Sequence, residues 1–395
     1  MIPVPSGRSW LRLDALGILT IVVYGTWFYG FGVLFEDLTV VHRVSSGKLG
    51  LTYGAANLLA GAGAIATGRR LDTIGPRAVL GIIGPMGACI YAASASFSGT
   101  TFLIAYALGG GVMGACGFYS FTQPLAVRTV DSDAARAITR LTIWGALSSP
   151  IMIPLTEALR SRFGWESAIR FPALVTSIVF VTCAAICVPP TASAPAKETL
   201  GGALRVAARD WRLRRFALAA FLSGIAASTL LVYQVPTMTW AGTTSSVAAG
   251  LASARGLMQL AGRLPLVAAM RQFGAPRLMI AARMLLGVAA LLLLGSGRWA
   301  IAVLYVAIAG ITIGALSALD GVVARSVIGT ENLGAVMGGV GLLSTLGGSI
   351  GPILAGQLRD AFNTPAASMV LVTVSAWSAT VVFASLRLPS RAATN

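Results

Sequence analysis

A stripe of three polar side chains interrupts an apolar stretch that is long enough to cross a bilayer. The segment ARGLMQLAGR (254–263) carries Arg255, Gln259 and Arg263 at intervals of four residues. On a helix, this spacing puts all three side chains on one face. A guanidinium at membrane depth costs at least about 2.5–3.5 kcal/mol, so we expect the stripe to face a water-filled cavity or a polar partner. An arginine in a cavity binds a carboxylate or another oxyanion well, so the stripe favours transport of a small organic anion.

The composition of the chain is typical of a membrane protein. Of its 395 residues, 56% are hydrophobic and only 11% are charged, and the mean hydropathy is +0.81. A soluble protein of this length needs more charge to cover its surface, so the lipid bilayer is the expected surrounding. The net charge of +16 does not predict a nucleic-acid partner, because the basic residues lie mostly in short loops between apolar spans.

The apolar stretches predict an all-α protein with twelve transmembrane helices. Every stretch is close to the length of about 20 residues that a spanning helix needs. The predicted spans are 14–36, 47–67, 78–97, 100–127, 138–159, 168–188, 216–240, 247–270, 278–295, 299–324, 333–358 and 366–386.

A polar interruption divides the spans into two sets of six. We predict an N-terminal half over 1–188, a cytoplasmic linker over 189–215 and a C-terminal half over 216–395. The halves contain similar loops, GRRLDTIGPRAVL and MRQFGAPRLMI, and such repeats are typical of transporters. Most of the 29 lysines and arginines fall on one side of the predicted topology. The positive-inside rule then places both termini in the cytoplasm. We expect a protein of the inner membrane, and we expect its functional unit to be a monomer.

The loop GRRLDTIGPR (68–77) resembles the signature between helices two and three of the major facilitator superfamily. The resemblance implies the fold of that superfamily, with two six-helix halves. It also implies that Asp72 and Arg77 take part in gating on the cytoplasmic side. The alternative is that Asp72 caps a helix or balances nearby arginines. The corresponding loop of the second half carries Arg271 in place of an acid, which puts a symmetric second latch in doubt.

Other segments resemble the monocarboxylate transporter and oxalate:formate antiporter group of this superfamily. They include YGTWFYGFGVLFEDL (24–38), GGGVMGACGFYSFTQPLAVR (109–128) and GGSIGPILAGQLRD (347–360). The resemblance implies that Arg263 binds the substrate carboxylate, with Gln259 as a neutral partner, and that Tyr119 lines the cavity. Tyr29 is a further candidate for substrate binding; it stands where some members place a lysine, so coupling through that lysine is not expected. The alternatives are an inter-helix pair for Arg263 and a helix contact for Tyr119.

The resemblance supplies no role for Arg255. This side chain is an outer gate, an attraction site for incoming anions, or a second carboxylate ligand that would allow a dianion. A pairing of Arg255 with Glu36 or Asp37, at the end of the first span, would exclude the last of these roles.

Two charged residues near the predicted cytoplasmic side are candidates for coupling or gating. An acid inside a span is a functional candidate, so Asp320 is a candidate carrier of a coupling proton. The competing interpretation is a structural ion pair of Asp320 with Arg325 or Arg140. Arg140 either extends to the membrane interface or faces the cavity.

These observations predict a secondary active transporter. It would move a monocarboxylate or related anion by alternating access, as a proton symporter or an anion exchanger. The alternative is an efflux pump for an amphipathic drug or secondary metabolite. An enzyme is not expected, because the chain has no P-loop, no G-x-S-x-G elbow and no His/Cys/Asp cluster. No cofactor or metal site is predicted either, since the four cysteines lie inside apolar spans without a C-x-x-C pattern.

Overall fold

The computed structural model describes residues 7–129, 134–187, 210–328 and 333–386, and it is helical throughout these ranges apart from short turns. Two π-helical turns, Tyr24–Tyr29 and Val79–Ile83, lie within longer helical stretches. The α-helices are α1 (Gly7–Val23), α2 (Gly30–His42), α3 (Ser46–Ile74), α4 (Pro76–Ala78), α5 (Gly84–Ser94), α6 (Gly99–Gly117), α7 (Tyr119–Thr129), α8 (Ala134–Ala146), α9 (Ser148–Phe163), α10 (Trp165–Ile186), α11 (Trp211–Trp240), α12 (Ser245–Arg263), α13 (Leu266–Phe273), α14 (Ala275–Leu294), α15 (Trp299–Ile328), α16 (Leu333–Phe362) and α17 (Ala366–Ala384).

Ten helical stretches among the described residues are long and apolar enough to cross a membrane. They correspond to ten of the predicted spans, and they mark an integral membrane protein. The all-helical fold class is therefore confirmed. The predicted linker 189–215 lies outside the described residues up to position 209.

The two remaining predicted spans, 138–159 and 247–270, are each built from two helices. The first divides at Leu147 between α8 and α9, and the second divides between α12 and α13 at Pro265. Proline lacks the N–H that would continue the helical ladder, which accounts for the break at Pro265 and for a weakened ladder at Pro150, just after Leu147.

The loops that the sequence pairs as repeats contain the same kind of turn. Gly75 has φ of 77° and Gly274 has φ of 81°, a region that glycine adopts without the strain a side chain would bring. Each glycine is followed by a proline in the first turn of the next helix, Pro76 in α4 and Pro276 in α14. The prolines suit this position because the first turn has no partner for their missing N–H.

The chain folds into two compact units. Unit 1 comprises Met1–Pro195 with Ser245–Ser253, and unit 2 comprises Ala196–Thr244 with Ala254–Asn395. The unit boundary therefore falls inside α12, whose polar stripe belongs to unit 2. Within unit 2, α16 packs closely on α11, since a Cβ atom on Gly351 would lie 2.7 Å from the Ile225 carbonyl oxygen. Small residues permit such approaches in a membrane, where little hydrophobic force draws helices together.

Candidate functional site

The polar stripe lies on α12, and its three members differ in burial. Arg255 is 0% exposed, Gln259 is buried, and Arg263 is half-buried at the last residue of the helix. The stripe thus runs from a fully buried guanidinium to a partly exposed one. A buried cation has the larger desolvation cost, so its surroundings decide what the stripe can do.

Arg255 takes part in a buried hydrogen-bonded cluster with Gln234 of α11 and Tyr305 of α15. Its Nε atom donates to Gln234 Oε1 at 2.9 Å, and the Tyr305 hydroxyl donates to the same oxygen at 3.1 Å. Gln234 Nε2 donates to the Leu231 carbonyl oxygen at 3.1 Å, which fixes the amide. Gln234 and Tyr305 are both neutral, so neither cancels the positive charge of the guanidinium. The Gln234 amide oxygen therefore helps to orient a buried cation.

Two glycines of α15 allow this helix to approach α12 at the cluster. A Cβ atom on Gly310 would lie 2.6 Å from the Arg255 carbonyl oxygen, and one on Gly314 would collide with the Gln259 carbonyl oxygen. No side chain fits at such distances without movement of the backbone. The close approach of α15 and the reach of Tyr305 to Gln234 therefore depend on glycine at these positions.

Arg263 has a different setting from Arg255. Its Nη2 atom donates to the Ser317 hydroxyl of α15 at 3.0 Å. Ser317 is exposed and donates in turn to the Gly314 carbonyl oxygen at 2.9 Å. Both arginines thus contact α15, but of the two only Arg255 is fully buried. The assignment of Arg263 as carboxylate ligand stays a prediction that follows from the resemblance alone.

Tyr29 and Tyr119 belong to one continuous group of aromatic rings in unit 1. Tyr119 lies 5.2 Å from Tyr24, centroid to centroid, and Tyr24 stacks on Phe118 at 4.0 Å. Phe28 contacts both Tyr24, at 5.7 Å, and Tyr29, at 5.1 Å. The π-helical turn Tyr24–Tyr29 supplies three of these rings. The group offers aromatic faces and phenol hydroxyls to a flat or amphipathic solute.

Arg140 forms a bidentate ion pair with Asp14 in unit 1. Its Nε and Nη2 atoms donate to the two carboxylate oxygens, each at 2.7 Å. Trp144 Nε1 also donates to Asp14, at 2.9 Å, and the Arg140 guanidinium lies 5.1 Å from the Trp10 ring. This arrangement fits an anchor near the membrane interface, where arginine and tryptophan commonly lie.

Arg160 forms a second ion-pair network in unit 1. It donates two hydrogen bonds to Glu157, at 2.7 and 2.9 Å, and its Nη1 atom donates to both carboxylate oxygens of Asp37, at 3.1 and 3.4 Å. Ser246 adds a hydrogen bond to Glu157 at 3.2 Å. Asp37, one of the two acids considered as a partner for Arg255, is therefore held by Arg160.

Asp320 has Arg283 as its cationic neighbour among the described residues. The Arg283 Nη2 atom lies 3.9 Å from Asp320 Oδ1. Arg283 is 1% exposed, whereas the Asp320 side chain is 53% exposed. The Arg283 guanidinium also lies 4.7 Å from the Phe383 ring, and its three nitrogens have no hydrogen-bond partner within the described part of the chain. The predicted partner Arg325 has a side chain outside the described residues.

The gating candidates of the loop after α3 are described only in part. The side chain of Asp72 lies outside the described residues, and Arg77 is exposed in α4. Their role in gating stays a prediction.

Comparison with solved structures identifies the fold. A point mutant of the nucleoside transporter NupG matches with a TM-score of 0.81 at 13% identity, over 96% of this chain and 100% of that chain. A bacterial homolog of the human lysosomal transporter Spinster, in an inward-facing and unoccupied conformation, matches with a TM-score of 0.73 at 14% identity, over 97% and 96%.

The chain has the major facilitator fold. The superfamily architecture predicted from the loop signature is therefore confirmed. No protein-family model and no curated protein sequence matches the chain. The resemblance to the monocarboxylate transporter and oxalate:formate antiporter group stays a prediction.

Sequence reasoning missed two polar residues that this major facilitator fold buries in unit 2. Arg283 lies within the apolar run MIAARMLLGVAALLLL, and Gln234 lies within LLVYQVP. A charged or amide side chain inside a span is itself a signal of function. Their partners are distant in sequence, so only the structure connects Gln234 to Arg255 and Arg283 to Asp320.

Proposed function

We propose that the chain is a secondary active transporter that moves a small organic anion across the cytoplasmic membrane by alternating access. The observation that carries this proposal is the buried Arg255 guanidinium, which donates a hydrogen bond to the neutral amide of Gln234. The fold supports the transport part, since the structures it resembles are named as transporters. The charge of Arg255 supports the anionic substrate.

The proposed role of Arg255 follows from the strength of its hydrogen bonds. An amide oxygen is a weaker acceptor for a guanidinium than a carboxylate, whose charge roughly doubles the strength of the bond. An anion that reaches Arg255 would replace the Gln234 oxygen and bring a negative charge next to the buried cation. Gln259, one turn further along α12, would add a neutral hydrogen bond, and Arg263 would attract or bind the anion from the more exposed end of the stripe.

For coupling, we propose the pair of Asp320 and Arg283. The Arg283 cation is buried inside unit 2, whereas the Asp320 side chain is 53% exposed, and we propose that this carboxylate exchanges the coupling proton. Protonation of Asp320 would leave the buried Arg283 without its negative neighbour, which is unfavourable in a membrane protein. An entering anion would offset this loss of negative charge, so proton and anion would travel together.

A nucleoside is the second candidate substrate. The structural neighbour NupG is named as a nucleoside transporter. The buried amides Gln234 and Gln259 of unit 2 could bind a base or sugar through hydrogen bonds. Efflux of an amphipathic drug, the alternative that the sequence raised, would use the aromatic group around Tyr24 and Tyr119 in unit 1.

A transport screen in proteoliposomes separates these candidates. Purified protein would be offered radiolabelled monocarboxylates, dicarboxylates and uridine, with and without an imposed pH gradient, and lipophilic dye expulsion would be followed in parallel. We expect a carboxylate to accumulate and uridine to remain at the level of empty liposomes. Uptake of uridine without any carboxylate would replace the anion proposal with the nucleoside, and dye expulsion alone would replace it with efflux.

A further inference from the structure

A cluster of aromatic and basic side chains marks the start of α11, far along the helix from Gln234. We call it the Trp211 cluster, and it comprises Trp211, Arg212, Arg215, Ser385 and Leu386. Trp211 is the first residue of α11 and is 44% exposed. The five residues line an open cavity of about 640 Å³.

Both arginines of the Trp211 cluster gather on the indole ring. The guanidinium carbon of Arg215 lies 4.8 Å from the ring centroid, and that of Arg212 lies 5.6 Å from it. Arg215 Nη1 also donates to the carbonyl oxygen of Ser385 at 3.1 Å and to its hydroxyl at 3.0 Å. These contacts hold both guanidinium groups next to the indole, so that two positive charges lie on one side of the cavity.

The position of the cluster on the membrane helix suits a lipid headgroup. Tryptophan prefers the membrane interface, and arginine extends its charge to the level of the phosphates. Leu218 is 47% exposed and lies seven residues after Trp211, so the two side chains share one face of α11. The surface thus changes from basic to apolar along the direction in which a phospholipid changes from headgroup to acyl chain.

We propose that the Trp211 cluster binds the phosphodiester of an anionic phospholipid. Arg212 and Arg215 bind the phosphate oxygens, the indole packs against the headgroup, and an acyl chain follows the apolar face through Leu218. A soluble phosphate would use the arginines but not the exposed Leu218, which favours the lipid as the source of the phosphate. The site lies at the predicted cytoplasmic end of α11, where the leaflet is negatively charged. It does not depend on which solute the protein transports.

The test is lipid binding by the purified full-length protein in detergent. Thermal unfolding and native mass spectrometry would be recorded with phosphatidylglycerol, with phosphatidylcholine of the same acyl chains, and with inorganic phosphate alone. The variants are Arg212→Gln, the double variant Arg212→Gln/Arg215→Gln, and the matched control Arg214→Gln. Arg214 is exposed on the same turn but does not line the cavity.

We expect phosphatidylglycerol to raise the unfolding temperature and to remain bound in the mass spectrometer, with little effect of the other two additives. Each arginine removed from the cavity should weaken the apparent affinity about fivefold, whereas Arg214→Gln should bind like wild type. Arg212→Gln keeps the proposal testable if the double variant, which loses the bonds to Ser385, does not fold. Equal losses in Arg212→Gln and Arg214→Gln would overturn the site, as would equal stabilisation by phosphatidylcholine. Equal stabilisation by inorganic phosphate would assign the cluster to a soluble anion instead.

Discussion

The Arg255 Nε atom donates a 2.9 Å hydrogen bond to Gln234 Oε1, and neither side chain is more than 1% exposed. The bond joins α12 to α11, and the hydroxyl of Tyr305 brings α15 to the same oxygen at 3.1 Å. Three helices of unit 2 therefore meet at one amide. On our proposal, an incoming anion competes with this amide for the guanidinium. Binding of the anion would therefore change the contacts between the three helices that meet at the amide.

Replacing Gln234 with glutamate should block transport of the anion. The change keeps the size of the side chain but puts a carboxylate next to Arg255, where it acts as a built-in competitor of the substrate. Hydrogen bonds to charged groups contribute about 1.5–3 kcal/mol, so we expect uptake to fall about ten- to a hundredfold in a folded protein. Gln272→Glu, at an exposed position of α13, is the matched control. If Gln234→Glu takes up the anion as well as wild type does, the assignment of Arg255 to the substrate site is wrong.

Gly314→Ala should destabilise the protein and impair uptake together. The new Cβ atom would meet the Gln259 carbonyl oxygen, so α15 must move away from α12. Overpacking of this kind costs about 1–3 kcal/mol. The control is Gly341→Ala, whose Cβ atom would have nothing within 4 Å, and alanine favours a helix there. Thermal unfolding of the two variants measures the change in stability. An unchanged unfolding temperature in Gly314→Ala would show that the contact with α12 is not tight.

Asp320→Asn should lower stability and abolish stimulation of uptake by a pH gradient. The variant leaves Arg283 buried without the carboxylate that lies 3.9 Å from it. The double variant Asp320→Asn/Arg283→Met removes the buried charge as well, and we expect it to regain the unfolding temperature but not the pH dependence. If Asp320→Asn retains the full response to the gradient, the pair has a structural role only.

Arg160→Gln should destabilise unit 1 by about 3 kcal/mol, because it leaves the buried Glu157 without its cation. Glu157 is 5% exposed and accepts two hydrogen bonds from Arg160. Arg162→Gln changes an exposed arginine of the same helix and should have an effect within about 0.5 kcal/mol. Chemical denaturation of the two variants gives the comparison, and similar midpoints would contradict a strong Arg160 network.

The architecture was largely predictable from the sequence because long apolar runs and the loop signature carry most of the information about this fold. The breaks at Leu147 and Pro265 were harder to foresee, since hydropathy alone does not distinguish one helix from two in line. The stripe of α12 was visible from its spacing. Its partners were not, because Gln234 and Tyr305 reach Arg255 from other helices, and burial separates Arg255 from Arg263 although both are arginines in one helix.

Solute counterflow in proteoliposomes, with a labelled carboxylate outside and an excess of the unlabelled one inside, tests the role of Arg255 most directly. Arg255→Gln would be compared with Arg271→Gln, which changes an exposed arginine of α13. The account predicts that Arg255→Gln loses at least about tenfold in counterflow, while Arg271→Gln matches wild type. Equal counterflow by Arg255→Gln and Arg271→Gln would contradict the assignment of Arg255 as the anion ligand.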